Sequence, residues 1–367
     1  MNNDSNLFIV NTFYHIFLAI LLTKGKSFSK KQNTLLIIPS FKRASLIVKL
    51  LQTWTANPFH QIELISQEFG FRTDLWHEFL IKSRIKKGLS KFMAMQRFDH
   101  VFIFNDYSKF NQYALTQAHQ HNGSLKCTLV EDGTGAYNTY FFNVSTRLTN
   151  LLKEIFYGQR LTDIAVMGTS DFSDDFFAIF PDYVRAELKT KNVSEIPKIN
   201  MDNVTFTDEL FEIYQITVLR SAELRQIQGL LLLENSKLYP RYPALTEILY
   251  DILEIFKARN LNIIAKNHPR EKQKNYWHID SIPNIHMIPQ EIPLEFLLLQ
   301  KDFHPHFILG GISTFLMAAK WLFPNIKCVS YAKMFDFQDD HLLKTFKKVN
   351  IRLLENKREL QEFLSDN

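Results

Sequence analysis

The amino-acid sequence predicts an α/β protein of two Rossmann-like domains facing each other across a cleft. Three observations carry that prediction. The chain has 367 residues, too many for one ordinary hydrophobic core and suited to two of about 150–200 residues. Short apolar runs alternate with longer runs of helical periodicity, the pattern of βαβ units and a parallel sheet. The alternation stops at 169–207, where Asp-Phe-Ser-Asp-Asp, Phe180-Pro181 and Ile196-Pro197 replace long apolar runs, and then resumes. The predicted domains are therefore 1–207, with the connecting segment at its end, and 208–367.

The first series opens with Leu7–Val10, an apolar run of strand length, and a polar turn at Asn11-Thr12 starts a helix at 13–23. Further apolar runs of strand length lie at Leu35–Pro39, Ile62–Ile65, Val101–Phe104, Leu125–Val130 and Ile164–Met167. Between them, apolar residues spaced three and four apart predict helices at 42–53, 73–96, 108–120 and 147–157. The second series predicts helix 208–226, strand Leu230–Leu233, helix 243–258 and strands Leu261–Ala265 and Ile285–Ile288. Helix 293–300, strand Phe307–Leu309, helix 314–322 and strand Ile326–Val329 follow, and helices 338–347 and 357–365 close the chain.

Composition narrows the class. Hydrophobic residues are 46% and charged residues 22%, the balance of a globular chain. Two cysteines, Cys127 and Cys328, build no disulfide framework and fit a reducing, cytoplasmic setting. The run Leu7–Leu22 is broken by Asn11, Thr12 and His15 and is too short to span a bilayer. A net charge of +5 is too weak, without a dense basic stripe, to predict nucleic-acid binding. One helix is locally basic: 82–97 carries Lys82, Arg84, Lys86, Lys87, Lys91 and Arg97 around Ile81, Ile85, Leu89, Phe92 and Met93. Such a helix either lies on the inner face of the cytoplasmic membrane or is a solvated helix with one buried face.

Four short stretches carry chemistry. Glu131-Asp132-Gly133 follows the strand that ends at Val130, where a pair of acids before glycine is either a turn or a positioned base. Lys266-Asn267-His268-Pro269-Arg270 follows the strand ending at Ala265, and strand ends of open α/β sheets are where ligands bind. Pro293-Leu294-Glu295 opens a short helix. Gly310-Gly311-Ile312-Ser313-Thr314 opens another, where backbone N–H groups, the helix dipole and two hydroxyls form an expected anion site. No Asp-x-Asp and no His/Cys cluster points to a metal or to any resident cofactor.

The order of these motifs resembles the bacterial sialyltransferases of glycosyltransferase family 52, with motifs shared by families 80 and 38, the latter containing the polysialyltransferases. Glu131-Asp132-Gly133 matches the acidic-acidic-Gly motif, His268-Pro269 the His-Pro motif, and Ser313-Thr314 the Ser-Ser/Thr motif. Glu295 matches a glutamate before an apolar helix. Val10-Asn11-Thr12-Phe13-Tyr14-His15 matches the family opening, with Phe13 where proline is usual. The resemblance implies a GT-B fold and an inverting, metal-independent sialyltransferase that takes CMP-sialic acid as donor. The implied acceptor is a terminal galactose on a lipooligosaccharide or capsule glycan, free or lipid-linked. Asp132 becomes the base and Glu131 its support or a substrate contact, with Thr12 in the opening turn. His268 hydrogen-bonds or protonates the leaving phosphate, Ser313 and Thr314 donate to it, and Glu295 accepts from the ribose. Lys266 and Arg270 add positive field, with surface ion pairs as the alternative for both. A transferase with another nucleotide-sugar donor, a nucleotide-sugar 2-epimerase and an inactive glycan- or membrane-binding relative stay open, as does a homodimer.

Overall fold

The computed structural model describes residues 5–25, 31–41, 44–66, 75–198, 221–269, 271, 279–290, 292–300 and 302–365. The chain forms two compact units, Met1–Asn200 and Met201–Asn367. Each is built on a wholly parallel sheet flanked by helices, which is the predicted α/β class.

The first sheet has seven strands: β1 (Ser5–Val10), β2 (Gln32–Ile37), β3 (Gln61–Leu64), β4 (His100–Ile103), β5 (Lys126–Val130), β6 (Asp175–Ala178) and β7 (Asn192–Glu195). Their spatial order is β3-β2-β1-β4-β5-β6-β7. Strand β1 sits centrally, pairing Phe8 with Leu35 on one side and Phe102 on the other. Apolar residues fill both of its faces because helices cover both sides of a parallel sheet. Helix α1 (Phe13–Lys24) is buried from His15 to Thr23, which explains why it is apolar nearly all round. Strand order reverses between β1 and β4, so their C-terminal ends form the switch point where ligands of such sheets bind.

Helices α2 (Ala44–Thr53), α3 (Leu75–Ala94), α4 (Lys109–His121) and α5 (Arg147–Tyr157) complete the unit. The basic helix lies within α3. Its Ile85, Leu89, Phe92 and Met93 are buried, so the apolar face of 82–97 belongs to the core. Two expectations fail here. Ile164–Met167 is a turn rather than a strand, because Gly168 follows at φ +85° and bends the chain. The Asp106 carboxylate holds that bend by accepting from the Gly168 and Ser170 N–H groups, at 2.9 and 3.1 Å. The segment 169–207, expected as a connection, supplies β6 and β7 instead. Their four-residue runs, DFFA and NVSE, are too short to show as strands in sequence, and NVSE is polar as well.

The second sheet contains β8 (Gly229–Leu232), β9 (Ile263–Lys266), β10 (Ile285–Ile288), β11 (Phe307–Gly310), β12 (Lys327–Ser330) and β13 (Arg352–Leu353), in the order β10-β9-β8-β11-β12-β13. Helix Ala244–Arg259 buries Leu245, Ile248, Leu249, Ile252, Leu253 and Phe256, one stripe at helical spacing, and Asn260 ends it in the left-handed conformation. Here the order reverses between β8 and β11. The two-residue β13 had no readable signal. Most of the predicted helix 208–226 lies outside the described residues, with Ser221–Leu224 helical.

Gly168 tests how firmly the 164–170 turn is set. A Cβ there would lie 2.7 Å from Phe176 Cε2 and 2.9 Å from Leu188 Cδ2, on a backbone that disfavours side chains. Gly168→Ala should lose about 2–4 kcal/mol of unfolding free energy. Urea titration of the variant checks this, and an unshifted midpoint would show that the turn relaxes without cost.

Candidate active site

In the first unit the site is built at the β1/β4 switch point and the adjoining end of β5. Beyond Val130 the chain places Glu131 and Asp132, then Gly133 at φ +73°, a left-handed position that suits only glycine well. The two acids have opposite fates. Glu131 is 1% exposed. Its Oε1 accepts from the Tyr14 hydroxyl, and its Oε2 from the Tyr137 hydroxyl and from the Ile179 N–H at 2.9 Å. Burial pushes its carboxyl up to about 7 against those three donors, and the neighbouring Asp132 charge adds to the rise. These contacts make Glu131 a support for the loop rather than a surface for substrate.

Asp132 turns the other way, with 19% of its side chain exposed. Its Oδ1 lies 2.5 Å from His15 Nε2, and its Oδ2 accepts from Asn105 Nδ2 at 3.1 Å. Both partners are themselves fixed. His15 Nδ1 accepts from the Asn11 N–H at 3.2 Å, so the proton sits on Nε2 and is donated to Asp132. The His15 ring is fully buried against Phe104, centroids 5.2 Å apart. Asn105 Oδ1 accepts from the Ser108 N–H at 2.9 Å, which turns its amide nitrogen toward Asp132. Each carboxylate oxygen can accept two hydrogen bonds, so one lone pair on each remains for another donor. Thr12 caps α1, its hydroxyl accepting from the His15 N–H at 3.2 Å. It therefore positions His15. Asp106 lines a small pocket together with Asp132, Phe104, Ala136 and Met167.

Asn105 and Asp106 were missed in the sequence, and His15 was read only as part of the opening motif, with no role. The available signal was a Tyr-His pair at the head of a helix that is otherwise apolar and buried.

In the second unit Lys266 is the last residue of β9 rather than the first beyond it, and it is buried. Glu295, in helix Leu294–Leu298, is buried too. Burial raises its carboxyl and the Lys266 charge opposes the rise, so these two predicted residues are brought near each other. His268 is half-buried in the next loop, whose course is tied by Glu271 N–H donating to the His268 carbonyl at 2.8 Å. Arg270 lies outside the described residues. Ser313 caps helix Thr314–Leu322, accepting from the Phe315 N–H at 3.2 Å, and Thr314 is half-buried beside it.

One expectation about this loop is corrected. The backbone N–H groups of Gly311 and Ile312, expected to hold a ligand anion, donate to Glu234 Oε1 at 3.2 and 3.0 Å. Glu234 follows β8 across the β8/β11 switch point, buried, with its carboxyl raised by burial. The Gly311 and Ile312 N–H groups therefore drop out of the expected anion site. Among the described residues, no three His, Cys, Asp or Glu side chains cluster as metal ligands.

The sequence matches the family model for alpha-2,8-polysialyltransferases over residues 6–332. The chain belongs to the alpha-2,8-polysialyltransferase family. It is an enzyme, a glycosyltransferase of the sialyltransferase kind, which is the group that its motifs resemble. A search of curated proteins found no match. Among solved structures, the GT-B domain of a sialyltransferase from Photobacterium damselae is similar at TM-score 0.51 and 13% identity, over 95% of this chain and 99% of that one. A 2,6-sialyltransferase from Photobacterium sp. JT-ISH-224, in a ternary complex with CMP and lactose, is similar at 0.54 and 12%, over 95% and 78%. UDP-GlcNAc 2-epimerase from Methanocaldococcus jannaschii, in complex with UDP-GlcNAc and UDP, is similar at 0.56 and 16%, over 99% and 92%. At these identities the likeness is one of fold, and it is shared by transferases and epimerases.

The support role of Glu131 in this sialyltransferase is measurable by pH. Its folded-state value of about 7 lies above the ordinary 4.5, so the folded form holds the proton more tightly than the unfolded chain. That contribution is complete below about pH 4.5 and is lost as pH rises through 7, on the order of 3 kcal/mol. Urea unfolding at about pH 5 and pH 7.5 should show it in the native chain and not in Glu131→Gln. Glu131→Ala, which strands three buried donors, should also lose this pH dependence and should therefore cost more at about pH 5 than at pH 7.5.

Proposed function

We propose that the enzyme is an inverting, metal-independent sialyltransferase using CMP-sialic acid. The observation that carries the reading is Asp132, partly exposed at a strand end and held by His15 Nε2 and Asn105 Nδ2. A sugar hydroxyl is a poor nucleophile near neutral pH. Asp132 takes its proton as the hydroxyl oxygen bonds to the anomeric carbon, and the bond from that carbon to the CMP phosphate oxygen breaks. One displacement with the base on the attacking side inverts the anomeric centre. His15 acts through Asp132, fixing the carboxylate and easing its charge.

On the leaving side, His268, Ser313 and Thr314 are the proposed phosphate partners and Glu295 the ribose partner. Lys266 keeps Glu295 in an electropositive setting, and Arg270 adds charge. Charge-assisted hydrogen bonds of this kind replace a metal. Glu234 supports a donor with a single phosphate. A second phosphate at the Gly311–Ile312 loop would find both N–H groups taken and would meet a buried carboxylate. That argues against UDP-sugar donors and against the epimerase reading.

The acceptor is a terminal sugar of a bacterial surface glycan, such as a galactoside of lipooligosaccharide or capsule, and the setting is cytoplasmic. The family description favours a second reading, in which the acceptor terminus is itself sialic acid. A panel of galactosides and sialosides with CMP-sialic acid distinguishes the two.

Asp132→Asn should slow transfer at least about 100-fold while CMP binding by calorimetry stays near native. Retained transfer would remove Asp132 from the chemistry. His268→Ala and the Ser313→Ala/Thr314→Ala pair should do the reverse and weaken CMP, by about 1.5–3 kcal/mol for each lost hydrogen bond to charge. Glu295→Gln should raise the donor KM more than it lowers kcat. CMP should raise the melting temperature more than UDP or GDP does. Equal stabilisation by UDP would overturn the single-phosphate argument. Activity should persist in excess EDTA.

A further inference from the structure

Helix α5 is amphipathic the wrong way round. Leu148, Leu151, Leu152 and Ile155 follow the i, i+3, i+4, i+7 spacing that normally faces a core, yet each is 52–70% exposed. The stripe continues onto α3, where Trp76 and Phe79 are also exposed and stack on each other at 5.8 Å. The two helices are joined on their inner side. Phe79 meets Phe156 edge-on at 5.7 Å, and Lys86 Nζ donates to the Phe156 carbonyl at 2.5 Å. The result is one contiguous apolar surface on the first unit. Contiguous exposed apolar patches on a protein surface mark interaction sites more often than single exposed residues do.

Charge identifies the occupant. Residues 76–97 and 140–160 together hold nine Lys and Arg against Glu78 and Glu154, a net of +7, in a chain whose total is +5. All remaining residues therefore sum to −2. The net positive charge of the protein is gathered on these two stretches, which contain the helices that carry the exposed stripe. Exposed Arg84, Lys87 and Lys91 on α3 are part of it. A second copy docking here would bring like charge to like charge. A nucleic acid would have no use for an aliphatic stripe. An anionic bilayer satisfies both features, with aliphatic and aromatic side chains entering the headgroup boundary and Lys and Arg meeting acidic lipids.

We propose that α5 and the start of α3 form a peripheral docking face for an anionic lipid bilayer. The division of labour differs from that expected of 82–97 alone. The apolar face of 82–97, formed by Ile85, Leu89, Phe92 and Met93, is buried and cannot insert, so the later turns of α3 supply charge, and α5 with Trp76 and Phe79 supplies the inserting stripe. Among the described residues no helix is long and apolar enough to cross a membrane, which makes the contact one of surface adsorption. The inference does not depend on which donor the enzyme uses.

The experiment is co-sedimentation of the full chain with phosphatidylcholine vesicles, with and without phosphatidylglycerol, at low and high salt. Binding should require phosphatidylglycerol and weaken as salt rises. Leu148→Ser/Ile155→Ser should lose at least about tenfold in partitioning, and Lys87→Glu/Lys91→Glu a similar factor at low salt. Both variants alter exposed positions, and an unchanged urea midpoint confirms that each is folded. Absence of binding to anionic vesicles at low salt would overturn the proposal, as would equal partitioning of the serine variant. A dimer in analytical ultracentrifugation that the serine variant abolishes would also overturn it, because a second copy would then own the face.

Discussion

Glu131 accepts hydrogen bonds from three separate stretches of the first unit: Tyr14 of α1, Tyr137 after the Gly133 turn, and the Ile179 backbone just beyond β6. Tyr137 passes the link on, since its hydroxyl also accepts from the Phe180 N–H at 3.1 Å. A carboxylate with 1% exposure is costly to bury unless its lone pairs are used. The three donors are therefore matched by the burial, and removing any one exposes that cost. Because α1 is clamped at Tyr14, His15 on the next residue is clamped as well. The geometry of Asp132 is thus set from outside itself, through the hydrogen bonds of its neighbour Glu131.

The second unit repeats the logic with a different outcome. Glu234 is a buried carboxylate at a switch point, and it ties the β8 end to the Gly311 loop. A Cβ on Gly311 would lie 2.4 Å from its Oε1, so the glycine is required by the protein's own acid. A Gly-Gly loop before a helix ordinarily signals a diphosphate cradle. Here the same residues accommodate an internal anion, and in the proposed function ligand recognition falls to the hydroxyls of the next two residues and to His268.

Much of this was legible in the sequence. The parallel architecture followed from alternating periodicities, because strands buried on both faces must be apolar throughout and helices must repeat at three and four. The same periodicity located α5 to the residue. It failed where tertiary contacts define the element. β6 and β7 are four-residue strands that exist because β5 offers an edge, and Ile164–Met167 turns because Asp106, far away in sequence, captures the Gly168 and Ser170 N–H groups that follow it. The motif residues were visible as local strings, but their partners were not. Asn105 and His15 reach Asp132 from 27 and 117 positions away, and nothing in a single sequence links such separations. Glu234 was invisible for the same reason, lying 77 residues from the loop it occupies.

The raised carboxyl of Glu131 invites the opposite assignment of roles in the pair. An acid pushed up to about 7 has the strength expected of a general base near neutral pH, and perturbed groups gather at functional sites. Geometry decides against it. A base has to reach the proton it removes, and that condition comes before its strength. Glu131 spends three of its four lone-pair positions on protein donors and is sealed from solvent. Asp132 spends two, shows part of its surface, and is aimed by a histidine whose other nitrogen is pinned to the Asn11 backbone. The perturbation of Glu131 is then a consequence of structural burial. Under the proposed function the base is therefore Asp132, the acid that water and a sugar hydroxyl can reach.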